Sequence, residues 1–299
     1  MTKFKKGRYF NLKNIIQAKS AGFCYGVKRA VELSKEVKKN NPDKNVYILG
    51  ELIHNAQAIA MLEELGIKTV NEIPVDQNGI CIIRTHGVSP NIVKEIQKSG
   101  CEVIDATCPD VKKVQQKASE LSKNGYQVII IGKAEHPEVI GIKAHADSYG
   151  KIPAIVISKP EEVENLKENL KSAEKIGIVV QTTQKIELLN KILVEITPLS
   201  KEIVVFNTIC PATKNRQKEA VKLAQDAELM IVAGGRNSAN TTHLAEILSE
   251  ITKTIHIETA DELENYDNLL KQCQNIGITA GASTPKEIIE RIILEIGEK

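Results

Sequence analysis

Three cysteines in this 299-residue chain stand in the same local setting. They open Cys24-Tyr25-Gly26-Val27-Lys28, Cys108-Pro109-Asp110-Val111-Lys112 and Cys210-Pro211-Ala212-Thr213-Lys214, each a cysteine, three residues and a lysine. A thiol at the start of a helix shifts toward thiolate, the form that binds metal, and a nearby lysine adds to that shift. Three such thiolates meeting at one place would leave one coordination position without a protein ligand. A structural zinc site is normally closed by four ligands. A cysteine-held iron–sulfur cluster with one open iron needs three. Spacing alone does not separate the two metals. Cys81, Cys101 and Cys273 lack this setting and read as small buried hydrophobes.

A second set of polar residues recurs in step with the cysteines. Gly50, Gly132 and Gly234 follow their cysteines by 26, 24 and 24 residues, and four positions beyond them stand His54, His136 and Ser238. Three further stretches end in small or polar residues: Arg84-Thr85-His86-Gly87, Gln181-Thr182-Thr183 and Gly281-Ala282-Ser283-Thr284. Serine and asparagine before a helix are by default caps. Several helix starts aimed at one centre instead favour an anion, since their free N–H groups point at it. A phosphate or diphosphate suits them, with His54 and His86 as further donors. In His136-Pro137-Glu138, the carboxyl could deliver a proton if burial raises its pKa, and His136 could relay one. Thr182 could orient a substrate hydroxyl.

The elements that would position these groups alternate regularly. Each cysteine follows a β-like run (15–18, 102–105, 203–206) and precedes a helix-like one, as in Val111, Val114, Ala118 and Leu121. A second strand ends at each of Gly50, Gly132 and Gly234, a third is legible at 154–157 and 254–257, and a Gly-Ile strand starts at 79, 177 and 277. This order predicts an α/β fold of three pseudo-repeated lobes, 11–100, 101–200 and 201–299, with mainly parallel sheets. Ligand groups then gather at the carboxyl ends of the strands.

Composition narrows the function. A formal charge of +2 gives no field for nucleic acid, and 3% aromatics with no Trp leave few stacking platforms. No stretch approaches the ~18 apolar residues of a membrane helix. Lys3, Lys5, Lys6 and Arg8 lead into no signal-like apolar run and read as a solvated tail. A cytoplasmic location is expected, where thiols stay reduced and serve as ligands rather than disulfides.

From about residue 15 to the C-terminus the chain resembles the 4-hydroxy-3-methylbut-2-enyl diphosphate reductase (LytB-type) family. The resemblance rests on Gly22-Phe23-Cys24-Tyr25-Gly26-Val27, Glu51-Leu52-Ile53-His54-Asn55, Thr85-His86-Gly87-Val88-Ser89, Asp105-Ala106-Thr107-Cys108-Pro109, His136-Pro137-Glu138-Val139, Gln181-Thr182-Thr183, Thr213-Lys214-Asn215-Arg216-Gln217 and Thr279-Ala280-Gly281-Ala282-Ser283. It implies a trefoil of three lobes around a central [4Fe–4S] cluster on Cys24, Cys108 and Cys210. It implies a diphosphate pocket of His54, His86, His136, Ser238, Asn240 and Ser283, with Glu138 as proton donor and Thr182 at the substrate hydroxyl. Ala239 stands where a second serine is frequent, and its backbone N–H could still serve the anion. The implied reaction is reductive removal of an allylic hydroxyl in the non-mevalonate isoprenoid pathway, with ferredoxin or flavodoxin as electron donor. An iron–sulfur hydro-lyase and a redox or iron sensor are the rival readings. A need for external reductant separates the first, and an inward acid and anion pocket argues against the second.

Overall fold

The structure is a computed structural model describing residues 13–298. Lys3, Lys5, Lys6 and Arg8 lie outside the described residues. Three four-stranded sheets form, every strand pair parallel. The first runs in the order β3 (Ile67–Val70), β2 (Val46–Leu49), β4 (Ile80–Ile83), β5 (Glu102–Asp105). The second runs β7 (Ile155–Ile157), β6 (Gln127–Ile131), β8 (Lys175–Val180), β9 (Glu202–Phe206). The third runs β11 (Thr254–Ile257), β10 (Leu229–Ala233), β12 (Asn275–Ala280), β1 (Asn14–Gln17). The three orders are the same. The first lobe also has a third strand, β3, which the sequence reading did not locate.

The strand before each cysteine joins the sheet of the preceding segment. Thus β5 is an edge of the first sheet, β9 of the second, and β1 of the third. The sheets are therefore offset by one strand from boundaries near 100 and 200, and β1 closes the ring by pairing with β12. Inner strands such as β6 and β10 are buried along their whole length, which is why they read as unbroken apolar runs.

Helices cover the sheets. The cysteine helices α1 (Tyr25–Asn40), α4 (Pro109–Lys123) and α8 (Pro211–Ala224) follow β1, β5 and β9. Proline at the first position of α4 and α8 presets the helical φ where no N–H is needed. After the second strands come α2 (Ala56–Glu64), α5 (Pro137–Asp147) and α9 (Ala239–Ser249). After the Gly-Ile strands come α3 (Pro90–Lys98), α7 (Ile186–Ile196) and α11 (Lys286–Glu298). Two helices, α6 (Glu162–Lys171) and α10 (Asp267–Gln272), complete the second and third lobes.

Glycine in the Gly-Ile strands sets how closely a cysteine helix lies on its sheet. Leu121 and Leu223 each stand thirteen residues after their cysteine. A Cβ on Gly177 would come within 2.7–3.0 Å of the Leu121 side chain, and one on Gly277 would meet Leu223 and Met230. Gly177→Ala is expected to lower stability by about 1–3 kcal/mol through overpacking. In urea denaturation, the double variant with Leu121→Ala should fall short of the sum of the two single losses, because the smaller side chain frees the space.

Candidate active site

The backbone fixes each cysteine before its side chain does anything. The N–H of Cys24 donates to Ala282 O at 3.1 Å, that of Cys108 to Thr85 O at 3.0 Å, and that of Cys210 to Thr182 O at 3.0 Å. Each acceptor lies in the loop after β12, β4 or β8, the strand beside the one leading to that cysteine. All three cysteines sit at the N-cap positions of their helices. A Cβ on Gly26 would stand 2.6 Å from Cys108 Sγ and 4.0 Å from Cys24 Sγ, so these sulfurs approach one spot that only glycine leaves open. Cys210 Sγ accepts from Thr213 N–H at 3.3 Å and lies 3.0 Å from its hydroxyl. The three thiols line one cavity of about 110 Å³.

Every other residue singled out from the sequence lines that cavity too: His54, His86, His136, Glu138, Thr182, Ser238, Ala239, Asn240 and Ser283. Thr85, Asp110, Thr183 and Thr213 join them without having been singled out as site residues. Thr213 stands where Val27 and Val111 stand in the other two repeats, so the repeat carried no signal for it. Cys81, Cys101 and Cys273 are buried away from the cavity, as expected.

Two expectations are corrected. Two of the ligand-free thiols, Cys108 and Cys210, are shifted away from thiolate rather than toward it. Burial pushes Cys108 up to about 11 and raises Cys210 as well, outweighing the helix-start N–H groups. The lysines do not offset this, since Lys112 pairs with Asp105 at 2.6 Å and Lys28 lies 3.8 Å from Glu32. Ser238, for which capping was the default, occupies the N-cap of α9 with no side-chain cap bond. Its hydroxyl is left for the cavity.

Glu138 is 1% exposed at the start of α5. Its Oε1 accepts from Thr182 N–H at 2.7 Å and its Oε2 from Thr182 Oγ1 at 2.8 Å. Burial lifts its pKa to about 7, although both Thr182 bonds favour the anion. His136 caps the same helix, its Nδ1 accepting from Glu138 N–H at 3.1 Å, which places the neutral ring's proton on Nε2. Burial pushes His136 down to about 4 and holds His86 well below the usual range. His54 stacks on His86 with centroids 4.5 Å apart and bonds Glu51 through Nδ1 at 3.0 Å. Ser283 Oγ donates to His54 O at 3.0 Å. His86 Nδ1 and Asn240 Nδ2 are buried without partners. Ligand-free, the three imidazoles also bring ring nitrogens within 4.8 Å of one another, a spacing that could hold a metal ion.

Arg216, 2% exposed on α8, donates to Ala280 O at 2.5 Å and Gly22 O at 2.8 Å. One guanidinium thereby ties the helix of Cys210 to the loop before Cys24 and to the end of β12.

The raised pKa of Glu138 has a consequence for stability. The native state keeps a proton that the unfolded chain releases near 4.5, so this group's contribution falls as pH rises from about 4.5 to about 7. His136 acts oppositely between about 4 and 6.5, because the unfolded chain binds its proton first. Glu138→Gln removes only the former. Thermal denaturation of ligand-free protein should show the variant gaining on the parent by up to about 3 kcal/mol between pH 4.5 and 8, at ~1.36 kcal/mol per unit.

Comparison with known proteins agrees with this geometry. The LytB protein family model matches residues 15–297. The 4-hydroxy-3-methylbut-2-enyl diphosphate reductase of Clostridioides difficile is 45% identical, over 94% of this chain and 98% of that protein. The enzyme of the same name from Pelobacter propionicus is 44% identical, over 95% and 98%. A solved structure of (E)-4-hydroxy-3-methyl-but-2-enyl diphosphate reductase, the terminal enzyme of the non-mevalonate pathway, is 41% identical with TM-score 0.73, covering 96% of this chain and 100% of that one. The Plasmodium falciparum reductase structure is 28% identical with TM-score 0.85, covering 95% and 87%. With its three parallel sheets and convergent cysteines, the chain belongs to the LytB protein family.

Proposed function

We propose that this chain reduces (E)-4-hydroxy-3-methylbut-2-enyl diphosphate to isopentenyl and dimethylallyl diphosphate. The substrate takes up two electrons and two protons and loses its hydroxyl as water. The observation that carries this reading is a buried carboxyl near neutrality, Glu138, in one cavity with three thiols and a set of anion donors.

The residues fit a [4Fe–4S] cluster. Three soft donors converge, the other described cysteines lie elsewhere, and Gly26 leaves room between two of the sulfurs. Cys24, Cys108 and Cys210 would hold it, and it would supply single electrons and a Lewis-acidic iron without a protein ligand.

The remaining chemistry belongs to side chains. The free N–H groups at the start of α9, with the Ser238 hydroxyl and the unpartnered Asn240 amide, suit the diphosphate. Ala239 contributes its backbone N–H in place of a hydroxyl. His54, His86 and, once its hydroxyl turns from His54 O, Ser283 serve as further donors, and His136 offers its Nε2 proton. Holding the anion positions the allylic end of the substrate, which lowers the barrier by orientation. Thr182 grips both oxygens of Glu138 and aims the carboxyl, and its hydroxyl serves the substrate's. With a pKa near 7, Glu138 is protonated in a substantial fraction of molecules at neutral pH, so it can convert the departing hydroxyl to water.

The electrons come from a ferredoxin or flavodoxin in this reading, and the enzyme works in the cytoplasm. No helix among the described residues is long and apolar enough to cross a membrane. The three lobes 11–100, 101–200 and 201–299 are proposed as its repeating units. A strict demand for external reductant distinguishes the reaction from elimination of water without net electron transfer.

Glu138→Gln should lower kcat by about 10²–10⁴ while substrate affinity by calorimetry stays within a few fold. Near-normal turnover would remove Glu138 from its role. Cys108→Ser, purified anaerobically, should lose most of its iron and sulfide. Full metal content in that variant would refute the ligand assignment.

A further inference from the structure

The lysine four residues after each cysteine has no part in the cavity, and neither does the residue set around it. Lys28, Arg29, Lys112, Lys113, Lys214 and Lys218 are solvent-accessible in the first two turns of α1, α4 and α8. The same turns carry only two carboxylates, Glu32 and Asp110. Lys113, Lys214 and Lys218 have no ion pair among the described residues, and the Lys28 side chain is 68% exposed. Helical side chains lean toward the N-terminus, so these cations reach back toward the cysteine end of each helix. A chain with net charge of only +2 thus places six cations in the opening turns of the three helices that begin at its cysteines, with Lys112 paired to Asp105 and Lys28 near Glu32.

This surface comes close to the cysteines along the chain. Tyr25 is 51% exposed although it directly follows Cys24, the N-cap of α1. An exposed aromatic side chain therefore stands one residue from a proposed cluster ligand. Arg29 braces the same place from α1, donating to Thr107 O at 3.3 Å, one residue before Cys108.

We propose that the starts of the three cysteine helices form the docking face for a small, acidic one-electron carrier protein, which meets the chain at Tyr25. The proposal rests on the reductase reading above and identifies where its electrons enter. Two reduced carriers dock in turn, each losing one electron. The allylic alcohol gains both with two protons and releases water. Complementary charge accounts for the partner's acidity, since it steers encounter without a large apolar interface. The exposed ring of Tyr25 supplies an apolar contact of the kind a weak, transient complex uses.

The test compares the full-length holoenzyme with its triple variant Lys28→Glu, Lys113→Glu, Lys214→Glu, none of which lines the cavity. Turnover of the allylic diphosphate is driven either by a reduced, acidic [2Fe–2S] ferredoxin or by reduced methyl viologen. At low salt the variant's KM for ferredoxin should rise at least ~10-fold, and the difference should shrink as ionic strength increases. Viologen-driven turnover and the KM for the diphosphate should not worsen. A ferredoxin KM within twofold of the parent's overturns the docking face and leaves the reductase reading intact. Loss of both routes together overturns it as well, placing the lysines in the fold. Loss of DNA retention on a column with unchanged ferredoxin KM assigns the patch to polyanions and overturns it too. If the parent turns over the diphosphate with neither donor, the reductase reading fails and the docking face fails with it.

Discussion

The bond from each cysteine N–H to the carbonyl of a loop beside it is the constraint on which the site depends. It acts on backbone, so it positions the sulfurs whatever they hold. It works because the strand before each cysteine pairs with a sheet begun earlier in the chain, or, for Cys24, much later. The cysteine then emerges next to a loop of that sheet. Three repeats of this arrangement bring together residues 24, 108 and 210 with no disulfide and no long connection. Leu121 against Gly177, and Leu223 against Gly277, let two of the helices lie close on their sheets. Arg216 ties two of the three cysteine segments directly.

Burial in the cavity favours the neutral forms of its titratable groups. Burial raises Glu138 and two thiols and lowers His86 and His136. All five shifts share a cause, the loss of water around a charge. Unpartnered donors on His86 and Asn240, and a Ser238 hydroxyl that caps nothing, are costly in an empty cavity and useful around an oxygen-rich ligand. The raised carboxyl and the unpartnered donors thus come from the same property of the cavity, the exclusion of water.

Much of this was legible in the sequence because it is local and repeated. The cysteine stations, the strand–helix alternation and the residues ending each strand recur at nearly fixed spacing, and spacing survives without coordinates. Sheet membership did not, because residues 102–105 and 203–206 look the same whichever sheet they join. The strand Ile67–Val70 is only four residues long and follows a helix closely, which left no period to detect. The grip of Thr182 on Glu138 joins positions 44 apart and depends on side-chain direction. Local rules favoured ionised thiols and a capping Ser238, and burial overrode the first. The second failed because the serine faces a cavity that other lobes help to build.

The ring closure through β1 also has a temporal meaning. Asn14 and Asn275, whose side chains bond at 3.0 Å, are separated by 261 positions. On a ribosome adding ~5–20 residues each second, the earliest strand waits roughly 15–50 s for its partner to be made. Until then Cys24 has no neighbouring carbonyl to hold it, and the third sheet has an open edge. The positioning of Cys24 is therefore complete only after residue 282 has been made, and a product truncated before it would carry Cys108 and Cys210 with nothing to fix Cys24 beside them.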